Sequence, residues 1–457
     1  MAKTKTLWSC NECGHIQSKW TGSCSTCQKW NTFVEEVEIS DKGKRFEAAS
    51  EKAALPIRIS DVKDIEFKRL KTGFGEFDRL MGGGIVAGSL TLVGGSPGIG
   101  KSTLMMQVSH KLAMQGLTVL YICGEESVEQ TSLRAKRLDI SSDQLYLLSE
   151  TNFTHIKHHI DQLQPDVLIV DSIQILYKQE LPSAPGSVTQ VRELATEFMH
   201  ISKGMGISTF LIGHVTKSGE IAGPRVLEHI VDTVLDFDGD QQHGYRMLRG
   251  IKNRFGPTDD IAIFQMSGEG LTEVSNPSLI FLEERAKKTP GSAIIPTIEG
   301  SRAFLVEIQA LVAPSPFSNS TRKSTGLNPN RLTLLLAVLE KRMGFQLHNK
   351  DVFVSVAGGL KITEPAIDLG VILAISSSFS NRTLDPKIAV LGEIGLAGEV
   401  RSIPRIESRI KEAINMGFTA CILPKRNLKG LSKKLTEKIQ LHGIEYVEQA
   451  INYLQKE

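Results

Sequence analysis

The 457-residue sequence has few aromatic residues, no long apolar run and no excess of one charge. No stretch approaches the roughly 18 consecutive apolar residues of a transmembrane helix, which excludes that class of protein. The 53 basic and 51 acidic residues leave a net charge of +2, so bulk charge does not indicate a nucleic acid or membrane partner. The first ten residues, MAKTKTLWSC, lack the apolar segment of a secretory signal, and we expect a cytoplasmic, reducing location without membrane contact.

Length and local composition predict several domains. Residues 1–36 contain four of the six cysteines and all three tryptophans, which favours a small separate module. Residues 37–66 are mixed in charge and poor in large apolar side chains, as expected of a linker. Residues 67–275 alternate short apolar runs with helical segments, a pattern typical of a parallel sheet in an α/β domain. Residues 276–457 differ from this segment: they contain several strand-like runs and several helical segments, which predicts an α+β domain.

The pattern also predicts individual elements. In the α/β segment we expect buried parallel strands near residues 90–93, 118–122, 167–170, 209–212 and 262–265. In the α+β segment we expect residues 313–330, which are polar and contain proline, to form a loop.

The cysteines of the N-terminal module form two pairs, Cys10-x2-Cys13 and Cys24-x2-Cys27, separated by ten residues. Each pair can present two thiolates from one turn, and two such turns complete a tetrahedral site with four sulfur ligands. Zn²⁺ is the expected metal in a cytosolic chain; iron and simple reduced thiols are the alternatives. A module of this size cannot build a core of its own, so the metal acts first as a structural staple. Whether its surface contacts DNA or protein stays open.

A phosphate-binding loop is predicted after the apolar run at residues 90–93, where GSPGIGKS matches G-x4-G-K-[ST] and opens a helix. The N–H groups of such a loop and of the helix N-terminus bind polyphosphate. Lys101 should neutralise the phosphate oxygens and Ser102 should hold Mg²⁺. A chance glycine loop is the alternative. The predicted nucleotide-binding residues are Gly95, Ser96, Pro97, Gly98, Ile99, Gly100, Lys101, Ser102 and Thr103.

Two further apolar runs end in carboxylates. Asp171 closes the run VLIVD, the arrangement that reaches Mg²⁺, often through water, in ATP-hydrolysing proteins. Glu125 and Glu126 follow the run VLYIC, where a glutamate can polarise the attacking water. We expect Glu125 to be this base, with Glu126 as the alternative and a solvated acidic turn as the other interpretation.

Several motifs resemble the RecA-like ATPases, and three of them resemble the bacterial RadA (Sms) recombination and repair ATPases in particular. The RecA-like motifs are TGFGEFDRL from Thr72, GGGI from Gly82 and the phosphate loop. The narrower ones are GHVTK from Gly213, IAGPRVLEH from Ile221 and KNRFGPT from Lys252. The resemblance covers essentially the whole chain.

The resemblance implies an ATP-dependent DNA motor that forms a homohexameric ring and extends branches during recombination. The implied cofactors are ATP, Mg²⁺ and Zn²⁺, and the implied partners are single-stranded and branched DNA and a RecA-type recombinase. Lys252 and Arg254 match the family's K-N-R-F-G motif, whose two cations reach into the nucleotide of the neighbouring subunit and stabilise charge on the γ-phosphoryl group. An exposed basic turn is the alternative interpretation.

The segment from Lys217 to Arg225, with two glycines and one proline, is predicted to be a mobile loop. In RecA-like rings such loops face the central channel, which makes Lys217 and Arg225 candidate contacts to DNA phosphates. His214, which precedes this loop, is a candidate sensor of the γ-phosphate.

The C-terminal domain resembles the proteolytic domain of Lon through ITEPAID from Ile362 and GEIGLAGEV from Gly392. Lon uses a serine nucleophile and a lysine that deprotonates it, and here those positions hold Ala366 and Glu407. We therefore expect a Lon-like fold without protease activity, with roles in ring assembly and DNA binding. The basic run at residues 425–438 could serve DNA, although a solvated amphipathic helix explains it at least as well.

A second hypothesis is an ATP-gated ring platform that recruits or loads a recombinase without translocating. It shares the nucleotide site with the motor hypothesis and differs in whether movement on DNA accompanies hydrolysis. A third, an ATP-dependent protease, is disfavoured by Ala366.

Overall fold

The computed structural model describes residues 4–10, 15–39, 69–213, 224–239, 244–258, 260–283, 285, 289–316 and 320–455. The chain divides into two compact units, one of residues 1–238 and 246–273 and the other of residues 239–245 and 274–457. The finer domain bounds at 36, 66 and 275 stay predictions. Within the described ranges, no helix is long and apolar enough to cross a membrane.

The N-terminal module is a three-stranded antiparallel sheet in the order β2-β1-β3. Its strands are β1 (Thr4–Cys10), β2 (Ile16–Gln17) and β3 (Phe33–Ile39). Cys10, Cys24 and Phe33 are buried together, and Trp8 and Cys27 pack against them. A cluster this small supplies little hydrophobic stabilisation, so the cysteines carry the fold of the module.

The rest of the first unit is an α/β domain. Its strands are β4 (Arg69–Leu70), β5 (Ile85–Val86), β6 (Leu90–Gly95), β7 (Val119–Cys123), β8 (Leu145–Leu148), β9 (Val167–Asp171), β10 (Ser208–Ile212), β11 (Thr233–Asp238), β12 (Tyr245–Asn253), β13 (Ile261–Ser267) and β14 (Gly270–Glu273). Its helices are α1 (Gly75–Leu80), α2 (Lys101–Ala113), α3 (Val128–Arg137), α4 (Phe153–Leu163), α5 (Val188–Met205) and α6 (Pro224–Ile230).

Nine of these strands form one sheet in the order β14-β13-β12-β11-β6-β10-β9-β7-β8. The strands from β11 to β8 in this order run parallel, and the central ones are buried along their whole length. Such strands read as continuous apolar runs because helices cover both faces of the sheet. The parallel sheet predicted from the sequence is confirmed, and it places the carboxyl ends of β6, β7 and β9 at one edge.

One strand prediction is wrong in its direction. Residues 262–265 lie in β13, a strand of the same nine-stranded sheet, but β13 pairs antiparallel with β14. A short apolar run does not encode strand direction, because a strand buried on both faces has the same composition in either orientation.

The second unit is an α+β domain. Its strands are β15 (Ser292–Glu299), β16 (Arg302–Pro314), β17 (Arg322–Thr325), β18 (Lys350–Val356), β19 (Ile388–Val390), β20 (Glu393–Ile394), β21 (Val400–Arg401), β22 (Ala420–Pro424) and β23 (Gln440–Ile444). Its helices are α7 (Pro277–Glu283), α8 (Pro329–Met343), α9 (Asp368–Ser380), α10 (Ile406–Asn415), α11 (Lys433–Thr436) and α12 (Val447–Ile451).

Seven strands of this unit form a mixed sheet in the order β17-β18-β16-β15-β19-β22-β23. The prediction of a loop over residues 313–330 is wrong in its middle, because Arg322–Thr325 forms β17 and pairs parallel with β18. As an edge strand, β17 has the polar composition of a loop, which explains the error.

Helix α9 is the central helix of the second unit. Its side chains are buried from Asp368 to Ser377, as expected of a helix that is apolar on all sides. Gly370 allows the close approach, since a Cβ there would lie 2.2 Å from Cδ1 of Ile295. The start of α9 is therefore held tightly against the sheet.

Candidate nucleotide-binding site

The loop between β6 and α2 has the conformation of a phosphate-binding loop, and two of its glycines are required by their surroundings. Gly95 has φ +147° and Gly100 has φ +117°, values that side chains rarely adopt. A Cβ on Gly95 would lie 2.5 Å from the carbonyl oxygen of Phe237, and one on Gly100 would lie 2.8 Å from Cε of Met266. Gly100 also offers no side chain to cap α2, which leaves the first-turn N–H groups available to an anion.

Lys101, the first residue of α2, turns back into this loop. Its ammonium group donates to the carbonyl oxygens of Gly95 at 2.7 Å and Ser96 at 3.0 Å, and the residue is only 4% exposed. Burial lowers the pKa of Lys101, while the nearby carboxylates, led by Asp171 and Glu125, act to raise it. An ammonium held by neutral carbonyl groups can exchange them for phosphate oxygens, which are stronger acceptors.

Asp171 lies at the same edge of the sheet, at the end of β9. Strand β10 separates β9 from β6, and Asp171 pairs in register with Cys123 at the end of β7. The hydroxyl of Tyr121 donates to Oδ2 of Asp171 at 2.7 Å. Burial raises the pKa of Tyr121 well above its ordinary value, with a further contribution from Asp171, so the phenol stays a proton donor. Tyr121 thus fixes the Asp171 carboxylate.

The two candidate bases have different surroundings. The carboxylate of Glu125 accepts a hydrogen bond from the hydroxyl of Ser172, the residue after Asp171. Glu126 instead forms an ion pair with Arg134 of α3. Glu125 is therefore directed toward the end of β9, whereas the charge of Glu126 is paired with that of Arg134 within the chain.

The oxygen donors in this region suit a nucleotide with Mg²⁺. Ser102, in the first turn of α2, offers a hydroxyl, and Asp171 offers a carboxylate, the hard ligands that Mg²⁺ prefers. Sequence reasoning missed Tyr121 and Ser172 as supports of this site. Tyr121 could have been found only from the strand register, since it reaches Asp171 diagonally across the β7–β9 pair.

Lys252 and Arg254 lie at the opposite edge of the sheet from this loop. Lys252 pairs with Val234 of β11, which is in register with Leu92 of β6. Gly95 is three residues further along β6, about 10 Å at the rise of a β-strand. Lys252 is therefore displaced from the start of the chain's own phosphate loop by about 10 Å along the strand direction, and Arg254, beside Asp232, is displaced further.

Local contacts hold Lys252 in place. Its ammonium group donates to the carbonyl oxygens of Glu228 and Val231, the latter at 2.8 Å. Partial burial lowers the pKa of Lys252, and the positive charge of Arg254 lowers it further. Two cations this close to each other favour the approach of an anion.

The turn that follows Lys252 packs against the glycine turn after α1. A Cβ on Gly82, which has φ +81°, would lie 2.7 Å from Cα of Gly256. Arg69 donates to the carbonyl oxygen of Phe255 at 2.7 Å. Two motifs separated by about 170 residues, GGGI and KNRFG, therefore form one structural unit.

The predicted DNA contacts fall largely outside the described residues. Lys217 and His214 lie there entirely. Arg225 is within α6, but its side chain lies outside the description. Their roles stay predictions.

Three of the four predicted metal ligands lie together in the N-terminal module. The Sγ atoms of Cys10, Cys24 and Cys27 lie within 4.8 Å of one another, and those of Cys10 and Cys27 are 3.7 Å apart. Two thiolates bound to one tetrahedral Zn²⁺ at about 2.3 Å are separated by about 3.8 Å. The donor set therefore fits Zn²⁺; Cys13 lies outside the described residues.

In the second unit, the two positions expected to correspond to Lon's serine and lysine differ in burial. Ala366 is in a 3₁₀ turn before α9 and is 3% exposed, whereas Glu407 is in the first turn of α10, is partly exposed and accepts the N–H of Ser432 at 3.2 Å. Neither residue can supply a hydroxyl nucleophile or an amine base.

An ion pair with a buried arginine and a partly exposed glutamate lies in the same unit. Arg409, 1% exposed, donates through two nitrogens to the carboxylate of Glu364 and also to the carbonyl oxygen of Pro296 at 2.8 Å. Burial acts to raise the pKa of Glu364, but the hydrogen bonds and charge of Arg409, together with hydrogen bonds from the Thr297 hydroxyl and the Ile298 N–H, lower it below its ordinary value. The charges of Arg409 and Glu364 therefore neutralise each other within the chain.

The basic run at residues 425–438 does not form one amphipathic helix. It consists of a 3₁₀ turn over Lys425–Leu428 and the four-residue helix α11. Its basic side chains are all exposed: Lys425, Arg426, Lys429, Lys433, Lys434 and Lys438. Lys425 lies 3.2 Å from a carboxylate oxygen of Glu445. The helical explanation of the run is therefore wrong.

Three family models match separate parts of the chain. A rubredoxin metal binding domain matches residues 8–35, an AAA domain matches residues 56–220, and the ChlI subunit of Mg-chelatase matches residues 333–427. With the parallel sheet and its phosphate-binding loop, these matches define a RecA-like P-loop ATPase that carries an N-terminal zinc ribbon and a C-terminal ChlI- or Lon-like domain.

Full-length relatives narrow this class to a family. Proteins named DNA repair protein RadA match from Chlamydia muridarum at 54% identity over 454 residues, Bacillus subtilis at 50% over 454, and Streptococcus pyogenes serotype M1 at 49% over 453. Each alignment covers 99% of this chain and 99% of the relative. The chain therefore belongs to the RadA family. A solved KaiC-like protein from Pyrococcus horikoshii also matches, with a TM-score of 0.39 and 20% identity, over 46% of this chain and 99% of its own; it adds nothing to the assignment.

Proposed function

We propose that this protein is a DNA-stimulated ATPase of DNA repair that moves on single-stranded DNA as a homohexameric ring and drives branch migration of recombination intermediates beside a RecA-type recombinase. The observation that carries the proposal is the separation of its charged groups. Lys101, Asp171 and Glu125 meet at one edge of the sheet, while Lys252 and Arg254 lie at the other.

This separation supports a site shared between subunits. A second copy that presents its Lys252 and Arg254 to the phosphate loop of the first would complete the site. Because the two edges differ, the contact is heterologous, and its repetition closes a ring when the rotation allows. Hydrolysis in such a ring depends on the subunit interface, which is the coupling that a motor requires.

The residues of the proposed site divide the chemistry. Lys101 and the loop N–H groups bind the phosphates, and Ser102 and Asp171 would hold Mg²⁺, which neutralises phosphate charge when bound. Glu125 accepts a proton from water as the water oxygen forms a bond to the γ-phosphorus. The bond from that phosphorus to the bridging oxygen breaks and ADP leaves with the electron pair. Lys252 and Arg254 of the neighbour stabilise the charge on the transferring group.

DNA binding must come from local surfaces, because the net charge is only +2. The proposed surfaces are the segment from Lys217 to Arg225 and the exposed basic run at residues 425–438. Contacts of lysine and arginine to phosphates release counterions, so binding and stimulation should weaken as salt rises.

The direct test is ATP turnover by the purified protein with and without single-stranded DNA, at low and moderate salt, with Lys101→Ala as the blank. We expect strong stimulation that decreases with salt. An ATP turnover rate that does not change when DNA is added would contradict coupling to DNA. Forked substrates then test movement: ATP-dependent branch extension supports the motor, and DNA binding without it would indicate an ATP-gated platform.

The shared site has its own test. Arg254→Ala is expected to lower DNA-stimulated kcat by about 10³-fold, as removal of an arginine finger does, while nucleotide affinity stays within a fewfold. Lys252→Ala should act in the same direction. Wild-type turnover by both variants with DNA present would contradict the shared site.

A further inference from the structure

A buried carboxylate, Asp232, connects Arg254 to the first residue of the P-loop strand. The residue is 2% exposed. Its Oδ2 accepts the backbone N–H of Leu90 at 3.1 Å, and its Oδ1 lies 3.2 Å from Nη1 of Arg254 and 3.5 Å from Nζ of Lys203. Both carboxylate oxygens are thus engaged.

Backbone hydrogen bonds also join Asp232 to Leu90 and to Arg254. The N–H of Asp232 donates to the carbonyl oxygen of Leu90 at 2.9 Å, and the N–H of Arg254 donates to that of Asp232 at 3.1 Å. Leu90 itself is fully buried at the start of β6. The carboxylate therefore cannot follow Arg254 if that side chain moves, and it acts as a fixed anchor.

The anchored arginine keeps most of its binding capacity. A guanidinium group has five N–H donors, of which Asp232 occupies one nitrogen. The Arg254 side chain is 50% exposed, so the remaining donors can reach an anion outside the chain. A long arginine side chain loses much rotamer freedom when it binds a phosphate, and a fixed partner removes part of that loss beforehand.

We propose that Asp232 is a positioning residue, which holds the guanidinium group of Arg254 in the orientation that meets the nucleotide of a neighbouring subunit. The inference rests on the proposed function, in which Arg254 acts on that nucleotide. It adds that Asp232, which is hydrogen-bonded to Leu90 at the start of the chain's own P-loop strand, sets the orientation of Arg254.

The test is DNA-stimulated ATP turnover by Asp232→Asn. Asparagine keeps an oxygen for the N–H of Leu90 but loses the charge that holds Arg254. We expect kcat to fall by about 10- to 100-fold, the usual effect of removing an orienting partner, with KM and nucleotide affinity unchanged. Lys203→Ala is the matched control, because it removes the other cation beside Asp232; its kcat should stay within about twofold.

A double-mutant cycle separates positioning from general stability. In the Arg254→Ala background, Asp232→Asn should lower kcat no further, because nothing remains to position. A purely structural role would lower the turnover of both backgrounds by the same factor, and that result would overturn the inference.

The other outcomes are equally distinct. Wild-type turnover by Arg254→Ala would contradict the part of the proposed function on which the inference rests, the action of Arg254 on the neighbour's nucleotide. A slow Arg254→Ala with a normal Asp232→Asn would defeat only the positioning role. Faster turnover by Asp232→Asn would show that the pair restrains Arg254, and would also overturn it. If Asp232→Asn does not fold, Asp232→Glu, which moves the charge by one methylene, is compared in the same cycle with the same expected direction.

Discussion

Both units of the chain place a charged residue at the first position of a helix packed on a sheet, and they treat that charge differently. Lys101 begins α2 and bonds to two neutral carbonyl groups of its loop. Asp368 begins α9, is 1% exposed, and pairs with Arg331 through two nitrogens. The adjacent Glu364 pairs with Arg409 in the same way.

In the first unit the charged group at the helix start can bind a ligand, whereas in the second unit the charged groups are already paired with each other. The acceptors of Lys101 are neutral, and a phosphate can replace them. The charges around Ala366 are already matched inside the chain, and removal of either partner leaves a buried charge without compensation. We therefore expect substitutions of these charged residues to remove activity without loss of fold in the first unit, and to destabilise the fold in the second.

The largest effect is expected from Lys101→Ala. Removal of the ammonium group should lower ATP turnover by at least about 10³-fold, because the charge it stabilises lies in a buried site. Lys111→Ala, on the same helix, is the control, since Lys111 bonds to the carbonyl oxygen of Gly73 at 3.3 Å and takes no part in the loop. Turnover assays on both variants, with melting temperatures close to wild type, check the prediction.

The second-largest effect on kcat is expected to distinguish the two candidate bases, Glu125 and Glu126. Glu125→Gln should lower kcat by about 10² to 10⁴-fold, the range for loss of a general base, and retain ATP binding. Glu126→Gln removes only the half-exposed pair with Arg134, so its kcat should change by a fewfold at most. Single-turnover hydrolysis measures both. The opposite order would assign the base to Glu126.

In the second unit, Arg409→Ala should destabilise the fold by about 3 kcal/mol, because it leaves the Glu364 carboxylate, whose side chain is 21% exposed, without its partner. Urea unfolding followed by hydrogen exchange of peptides from residues 320–455 measures this. Lys411→Ala on the same helix should cost less than about 0.5 kcal/mol, since its pair with Glu407 is exposed. Equal midpoints for Arg409→Ala and wild type would contradict the prediction.

The same pair sets a pH dependence. The pKa of Glu364 is lower in the folded chain than its ordinary value of 4.5, so the stabilisation is complete above that value. It is lost as the pH falls from about 4.5 through the lowered pKa of the folded state. Unfolding midpoints between pH 7 and pH 3 should therefore decline more steeply for wild type than for Arg409→Ala. Parallel declines would show that the pair makes no such contribution.

The last substitution is expected to have no effect on protease activity. Ala366→Ser should not create protease activity, because Glu407 stands where a lysine would deprotonate the serine. Casein digestion by this variant and by the double variant Ala366→Ser, Glu407→Lys should stay at background, since the pair of Arg409 and Glu364 still lies beside the site. Digestion above background would show that only the two side chains separate this domain from a protease.

The sequence was sufficient for the parallel sheet, the phosphate loop and the cysteine module, because each depends on local pattern. It was insufficient where partners are distant in the chain. Asp232 has no distinguishing neighbourhood in the sequence, since Leu90 lies 142 residues away. The contacts that distinguish Glu125 from Glu126 are with Ser172, after β9, and with Arg134, in α3, and the local sequence around the two glutamates does not indicate them.

Mixed oligomers test directly whether the cations of one subunit complete the nucleotide site of another. Lys101→Ala and Arg254→Ala are each expected to be inactive alone. When subunits mix at random in equal amounts, one site in four joins an intact phosphate loop to an intact Arg254, so turnover should recover to about a quarter of the wild-type rate per subunit. No recovery, with mixed oligomers shown to form, would contradict the shared site.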